Sequence, residues 1–228
     1  GYQGGYYSNF STFGLAATAV LMVLYPAISR KINRKPLMGV MIVTAAVGYI
    51  VMFVIGAFMP SSSPSLKCWL MTAGYMLANF GQYSFYLIMM ISILNTVEYN
   101  ELTRGERDEA IIASLRPFLT KLASALISVI TYVCYIVFGV LNYTNEISEL
   151  ERLTSMGELS EAAKLGEIAD VITKVQPGQK FGLLVCITLV PFIFMFVSYV
   201  LYKKHYKLDE GEYDRICREL AARKVTEA

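Results

Sequence analysis

Charged residues are scarce in this chain: Asp, Glu, Lys and Arg make up 17% of its 228 residues, against about 25% in an average soluble domain. Hydrophobic residues make up 55%, and the mean hydropathy is +0.48. This composition argues against an ordinary soluble domain and predicts a membrane protein. The net charge of +2 gives no basis for binding nucleic acid, so no nucleic acid is expected among the partners.

Histidine and cysteine are scarce as well, since His205 is the only histidine and the cysteines lie far apart. Without a CxxC motif or a His/Cys cluster, neither a zinc site nor a histidine-based triad is expected. A disulfide framework is not expected either. No nucleophile–base pair is visible, so we expect a protein that is not an enzyme and carries no metal or cofactor of its own. The four cysteines are Cys68, Cys134, Cys186 and Cys217.

The start of the chain lacks the features of a secretory signal peptide. It opens on GYQGGYYSNF, with neither a basic stretch nor an initiator methionine. We therefore expect this chain to be a segment of a longer protein.

Long apolar segments are what the sequence has in abundance. A membrane-spanning helix needs about 20 mostly apolar residues, and continuous apolar runs favour helices over a barrel. The sequence predicts an all-α transmembrane bundle over residues 10–202, with an outer connection at 1–9 and a cytoplasmic tail at 203–228. The predicted spans are 10–29, 36–59, 68–97, 110–142 and 181–202.

Basic residues are concentrated in alternate connections between these spans. RKINRK (30–35) has four basic residues and no acid, and 101–109 and the tail add more. The other connections are poorer in basic residues: 60–67 has one, and 143–180 has four basic residues against seven acids. By the positive-inside rule, we expect the basic connections and the C-terminus in the cytoplasm and the N-terminus outside.

Two segments outside the spans have the pattern of amphipathic helices. In 143–180, apolar residues recur at about every third or fourth position. We expect two short helices that break near Gly157 and form a solvated cap on the bundle, with a substrate lid as the alternative. Residues 208–220 of the tail predict a solvated surface helix.

Lys121 is the clearest functional candidate among the residues of the spans. It lies about twelve residues into the fourth predicted span, roughly 18 Å along a helix and near the middle of the membrane. No acid lies inside any predicted span, so we expect its partner to come from residues outside this chain. Its helix face is small and polar, which favours a helix interface or a water-filled cavity over lipid. That face comprises Ser114, Pro117, Phe118, Ser124, Ala125 and Ser128.

Arg116 lies closer to the cytoplasmic end of the same predicted span. Its long side chain can reach the membrane surface from there, because arginine extends its charged group towards water. Two roles stay open for Arg116: an anchor at the membrane interface, and a residue of the substrate pathway.

A polar and aromatic stripe lies in the third predicted span, where NFGQYSFY covers residues 79–86. Asn79, Gln82, Tyr83 and Tyr86 recur there at helical spacing. Aromatic rings stack on the apolar face of a sugar while amides and hydroxyls bind its OH groups, so the stripe is suited to a sugar cavity. The alternative is hydrogen bonding between helices with tyrosines at the membrane interface.

The connection EYNELTRGERDEA (98–110) mixes acids and bases at helix-like spacings. An exposed ion pair contributes at most about 1 kcal/mol, yet a network that joins two moving halves in only one state would bias their equilibrium. The alternative is a solvated loop. The residues of this cytoplasmic charge network are Glu98, Glu101, Arg104, Arg107 and Glu109.

The same region carries a family resemblance. NTVEYNELTRGERDEAIIASLRPFLTKLASAL (95–126) resembles the signature of the glycoside–pentoside–hexuronide:cation symporters, the melibiose-permease group of the major facilitator superfamily. LYPAISRKINRKPLMG (24–39) resembles the loop between helices eight and nine of that family, and YKKHYKLDEGEYDRICREL (202–220) resembles its C-terminal end. The resemblance implies helices eight to twelve of a twelve-helix transporter, with the N-terminal six-helix bundle as the partner.

The resemblance also implies a function. It implies a multi-pass protein of the cell membrane that takes up a sugar with Na⁺, H⁺ or Li⁺, the cation being held mainly by the N-terminal half. It places Lys121 near that site and Tyr86 in the lining of the sugar pocket, whereas Asn95 and the pair Arg116–Pro117 depart from the family pattern. The alternatives are a carrier of an amphiphilic lipid, and a non-transporting membrane subunit or split half-transporter.

Overall fold

The computed structural model describes residues 4–29, 31–60 and 62–227, and over these the chain is a series of α-helices joined by short turns. Helices dominate because apolar and helix-favouring residues run on for twenty or more positions, and Gly105, Gly139 and Gly157 lie at breaks between helices. The helices of the described residues are α1 (Gly4–Ser29), α2 (Arg34–Phe58), α3 (Pro64–Leu94), α4 (Thr96–Arg104), α5 (Glu109–Val137), α6 (Leu141–Ser155), α7 (Glu161–Lys174), α8 (Pro177–His205) and α9 (Glu210–Glu227).

Among the described residues, five helical segments are long and apolar enough to cross a membrane. They contain α1, α2, α3, α5 and α8, so the predicted all-α membrane fold is confirmed. Helix α5 is shorter than the fourth predicted span, 110–142, because the chain turns after Val137 and Gly139 takes a positive φ of 65°. Likewise α3 ends at Leu94, inside the predicted span 68–97, and α4 follows it at once.

The tightest packing in the bundle is between α2 and α3. A Cβ atom on Gly81 would lie 2.5 Å from the Met41 carbonyl oxygen and 2.6 Å from the Ala45 backbone nitrogen. Glycine therefore lets the two backbones approach closely, as in many membrane bundles. Leu21 of α1 and Met195 of α8 join the buried core that forms around this contact.

Helix α5 packs differently, because none of its residues is buried. It is attached to the rest mainly at its C-terminal end. There the Phe138 ring fills the space beside Gly182 of α8, and Gln179 Nε2 donates a hydrogen bond of 3.0 Å to the Gly139 carbonyl. Most of α5 is therefore left uncovered by the described part of the chain.

Short helices close the two ends of the bundle. At the cap end, defined by residues 138–177, α6 and α7 pack through Leu150, Ile168 and Val171, and the chain turns between them where Gly157 has φ +78°. These are the helices of the segment predicted to break near Gly157.

At the tail end, formed by α4 and α9, one face of α9 is buried. Ile216 and Leu220 pack with Leu208 and against Leu102 of α4. The tail helix predicted from residues 208–220 is therefore docked on the bundle instead of being solvated on all sides.

Candidate functional site

Lys121 stands on an uncovered polar face of α5. Its side chain is exposed and makes no hydrogen bond or ion pair with any residue that the structure describes. The hydroxyls beside it are satisfied within the helix, since Ser124 Oγ donates to the Thr120 carbonyl at 3.0 Å and Ser128 Oγ to the Ser124 carbonyl at 3.1 Å. Serines bonded in this way need no partner from another helix. On this face, the Lys121 ammonium is therefore the group that needs a partner from another helix.

Arg116 is exposed on the same helix, and its guanidinium likewise has no partner within the described ranges. Its carbonyl accepts a bond of 2.9 Å from Thr120 Oγ1, which satisfies a backbone group of the helix near Pro117. Pro117 also lies inside this helix, where it has no N–H to donate to the carbonyl of Ala113 one turn earlier. Helix α5 therefore presents two basic side chains to whatever covers it.

The structure divides the polar stripe of α3. Tyr83 and Tyr86 are 43% and 42% exposed, whereas Asn79 is 8% exposed and lies against Gly14 of α1. Gln82 Oε1 accepts a hydrogen bond of 2.9 Å from the Tyr49 hydroxyl, and the amide nitrogen makes none with the described residues. Two aromatic faces and one amide donor are therefore open to a ligand, while Asn79 belongs to the α1–α3 contact.

The polar residues of α3 and the basic residues of α5 stand on helices that touch each other. Within the described part of the chain, no hydrogen bond joins Lys121 or Arg116 to the α3 stripe. The described helices therefore do not bring the two groups together into a closed site.

The predicted charge network is assembled in part at the turn between α4 and α5. Gly105 ends α4 in the left-handed conformation at φ +76°, which reverses the chain. Arg107 then bonds Glu101 at 3.0 Å and Glu109 at 3.2 Å. The bond to Glu109 and the charge of Glu101 raise the pKa of Arg107 above its usual value. Glu98 acts on it only through its charge.

Arg104, the remaining member of the predicted network, makes no ion pair with the part of the chain that the structure describes. The turn is held by another residue that the sequence did not single out. Asn100 Nδ2 donates to Asp108 Oδ2 at 2.9 Å and to the Glu106 carbonyl at 3.0 Å. The predicted network is thus centred on Arg107.

Sequence reasoning missed a second charge cluster at the tail end. Glu210, the first residue of α9, accepts from the Arg34 backbone nitrogen at 2.6 Å and from Arg34 Nε at 2.9 Å. A carboxylate at the N-terminus of α2 is favourable because it meets unpaired backbone donors and the positive end of the helix dipole. The guanidinium also lies 5.8 Å from the Tyr213 ring centroid. The only sequence signal was an acid-rich start of α9 opposite a basic connection.

Asn95 completes this cluster from the junction of α3 and α4. With its amide oxygen facing the guanidinium, it accepts from Arg34 Nη2 at 3.0 Å and donates to the Ile91 carbonyl at 3.1 Å. Ser92 lies one turn earlier, and its Oγ is 2.9 Å from the Tyr202 hydroxyl of α8. Four helices are therefore tied together at the tail end.

Comparisons with known proteins agree with this architecture. A family model described as MFS/sugar transport protein matches residues 1–210. The raffinose carrier protein of Pediococcus pentosaceus is 28% identical over 113 residues, which are 50% of this chain and 16% of that protein. A lactose permease of Leuconostoc lactis is 28% identical over 102 residues, 45% of this chain and 14% of its own length.

A lactose permease of Lactobacillus delbrueckii subsp. bulgaricus is 31% identical over 120 residues, 53% of this chain and 18% of its own length. The matched part of the chain spans less than a fifth of each of these relatives. The resemblance carried by residues 95–126 is confirmed by these matches together with the family model. With five helical segments able to cross a membrane within the described ranges, the chain is a multi-pass membrane protein that belongs to the MFS/sugar transport family.

Proposed function

We propose that this chain is the C-terminal part of a secondary active carrier that moves a sugar together with a cation across the cell membrane. The match of residues 1–210 to a sugar-transport family is the observation that carries the proposal. Carriers of this kind rock one bundle against another around a shared site. The uncovered α5 gives the described helices a surface suited to such a partner, which is the N-terminal six-helix bundle of the same transporter.

Lys121 supplies a positive charge to the shared site. A charge near the middle of a membrane costs about 2.5–3.5 kcal/mol even on insertion scales, and no described residue offsets that cost in this chain. Carboxylates of the N-terminal bundle do so in the proposed carrier, where they also hold the coupling cation, Na⁺, H⁺ or Li⁺. Arg116 lies on the path between this site and the cytoplasm.

The sugar is recognised partly by α3. The exposed rings of Tyr83 and Tyr86 offer stacking surfaces, and the free amide nitrogen of Gln82 offers a donor. The names of the relatives make raffinose and lactose the first sugars to test.

Uptake by the full-length protein in proteoliposomes tests the proposal. Labelled raffinose, lactose and a panel of pentosides and hexuronides are offered with a Na⁺ gradient, a Li⁺ gradient, a proton gradient, or none. We expect accumulation of at least one sugar that depends on a cation gradient. Failure of the folded carrier to accumulate any sugar, or uptake of an amphiphilic lipid instead, would contradict the proposal. Accumulation by residues 1–228 alone would contradict the requirement for an N-terminal bundle.

The proposed orientation places the C-terminus in the cytoplasm. In whole cells, a membrane-impermeant thiol reagent should modify Cys68, near the connection after α2, and leave Cys217 of α9 unmodified. Labelling of Cys217 without Cys68 would reverse the topology and the cytoplasmic position of the Arg107 network.

A further inference from the structure

Two cysteines lie side by side near the cap end of the bundle. Cys186 of α8 and Cys134 of α5 are free thiols whose sulfur atoms are 2.8 Å apart, and both residues are partly exposed. The proposed transport function uses neither of them. The other two cysteines, Cys68 and Cys217, lie on α3 and α9.

The thiol pair belongs to the contact that attaches α5 to α8. Along these antiparallel helices, Gln179 bonds the Gly139 carbonyl, Gly182 faces the Phe138 ring, and Cys186 faces Cys134. The remainder of α5 has no buried residue. A covalent link at this position would therefore fix the helix at one of the few places where it is already held.

We propose that Cys134 and Cys186 are a redox-sensitive modification site, at which a low-molecular-weight disulfide closes a reversible cross-link between α5 and α8. A disulfide bond holds its sulfur atoms about 2.05 Å apart, so the two thiols need to approach by less than about 1 Å. The consequence for transport rests on the proposed function: α5 carries Lys121, and a cross-link to α8 prevents α5 from moving within its own bundle as the shared site opens to one side of the membrane and then to the other.

The reaction is a thiol–disulfide exchange in two steps. One cysteine thiolate attacks the reagent disulfide, forms a mixed disulfide and releases one reagent thiol. The second cysteine then attacks the protein sulfur of that mixed disulfide and displaces the second reagent thiol. The two protein thiols lose two electrons, the reagent disulfide gains them, and the two cysteine protons end on the released thiols.

Peptide mapping of the oxidised full-length protein tests the cross-link. Proteoliposomes are treated with 2,2′-dithiodipyridine, a neutral disulfide that enters membranes, and digested without reduction. We expect a peptide pair joined through Cys134 and Cys186, with no pyridyl adduct on either, and its loss after dithiothreitol. Cys68 serves as the internal control because it should keep its adduct. In Cys134→Ser the joined pair should vanish and Cys186 should carry an adduct.

Two results would overturn the cross-link: stable pyridyl adducts on both Cys134 and Cys186, or both thiols unmodified while Cys68 reacts. Uptake measured on the same vesicles tests the consequence. Oxidation should remove most uptake by the unsubstituted carrier, dithiothreitol should restore it, and Cys134→Ser should be insensitive. A joined peptide without any loss of uptake would overturn the proposed effect of the cross-link on transport. Absence of uptake by the reduced carrier would contradict the proposed function alone.

Discussion

Helices α3 and α5 are both long apolar segments of similar length, yet they pack in opposite ways. Helix α3 buries Ile88 and Ala78 against α1 and α2, and its glycines bring the neighbouring backbone into contact. Helix α5 buries no residue and carries an unpaired Lys121 among serines. Hydropathy alone does not separate the two cases, because both helices satisfy the length and composition of a membrane span.

The difference lies in which small residues line each helix. Glycine on α3 removes side-chain volume and exposes backbone to a close neighbour, so α2 and α3 complete each other within this chain. Serine on α5 satisfies itself by bonding its own helix, so the ammonium of Lys121 is the group on this face that lipid does not favour. We infer that the contact between α2 and α3, here called the structural half, stabilises the bundle, and that the polar face of α5 takes part in transport.

The largest expected effect comes from filling the polar face of α5. Ser124→Trp places a large ring beside Lys121, on the face that the proposed partner bundle would cover. We expect a roughly tenfold or greater fall in sugar uptake, because overpacking a contact costs about 1–3 kcal/mol. Leu126→Trp, on the apolar side of the same helix, is the matched control and should retain uptake. Equal uptake by both variants would mean that the two sides of α5 are equivalent.

Gly81→Ala probes the structural half. The added methyl group would meet backbone atoms of Met41 and Ala45, which cannot move aside as a side chain does. We expect a loss of about 1–3 kcal/mol in stability, measured as a lower midpoint of thermal unfolding of the detergent-purified protein by circular dichroism. Gly166→Ala in α7 is the control, since its methyl group enters open space. There the substitution should raise the free energy of unfolding by about 0.5–1 kcal/mol, because glycine destabilises a helix interior relative to alanine. A Gly81→Ala protein as stable as the parent would show that the α2–α3 contact is loose.

A more local effect is expected from the tail end, because it concerns the docking of α9. Arg34→Gln removes the guanidinium bonds to Glu210 and Asn95, each worth about 0.5–1.5 kcal/mol. Amide hydrogen exchange of α9 should therefore quicken relative to α2. Arg215→Gln is the matched change, because the partners of Arg215 among the described residues are Glu212 and Glu219 of α9 itself. Such pairs along a solvent-facing helix contribute about 0.3–0.5 kcal/mol each. Unchanged exchange in Arg34→Gln would show that α9 is held by its apolar face alone.

The number of spans and the helical cap could be predicted because they depend on local pattern. Continuous apolar runs indicate spanning helices, and the three-to-four-residue spacing in 143–180 with a glycine in the middle indicates two short helices. The break after Leu94 was not predicted, since no Pro or Gly marks it. Helix α4 was therefore expected as part of a loop.

The contacts between distant residues could not be predicted. Arg34 and Glu210 are 176 positions apart, and a single sequence does not say which acid meets which base. The same holds for Cys134 and Cys186, which are 52 positions apart. Asn79 was expected beside the tyrosines of α3, but a neighbouring helix covers it, and helical spacing does not reveal which part of a polar stripe is covered.

In the proposed carrier, coupled transport requires Lys121 on the uncovered face of α5. The direct measurement is cation-driven sugar uptake by full-length Lys121→Ala and Lys121→Arg, with membrane insertion quantified in parallel. Lys180→Ala is the control, because this exposed lysine at the start of α8 has no partner among the described residues. Lys67 is unsuitable as a control because it holds the end of α2. Its ammonium donates to the Gly56 and Met59 carbonyls at 3.1 and 2.8 Å.

We expect Lys121→Ala to lose coupled uptake while inserting as well as the parent or better, because the charge is a cost to insertion. Lys121→Arg should fail too, since a planar guanidinium does not replace a compact ammonium, and Lys180→Ala should transport normally. Normal uptake by Lys121→Ala with an unchanged dependence on the cation would contradict the claim and reduce Lys121 to a helix-packing residue.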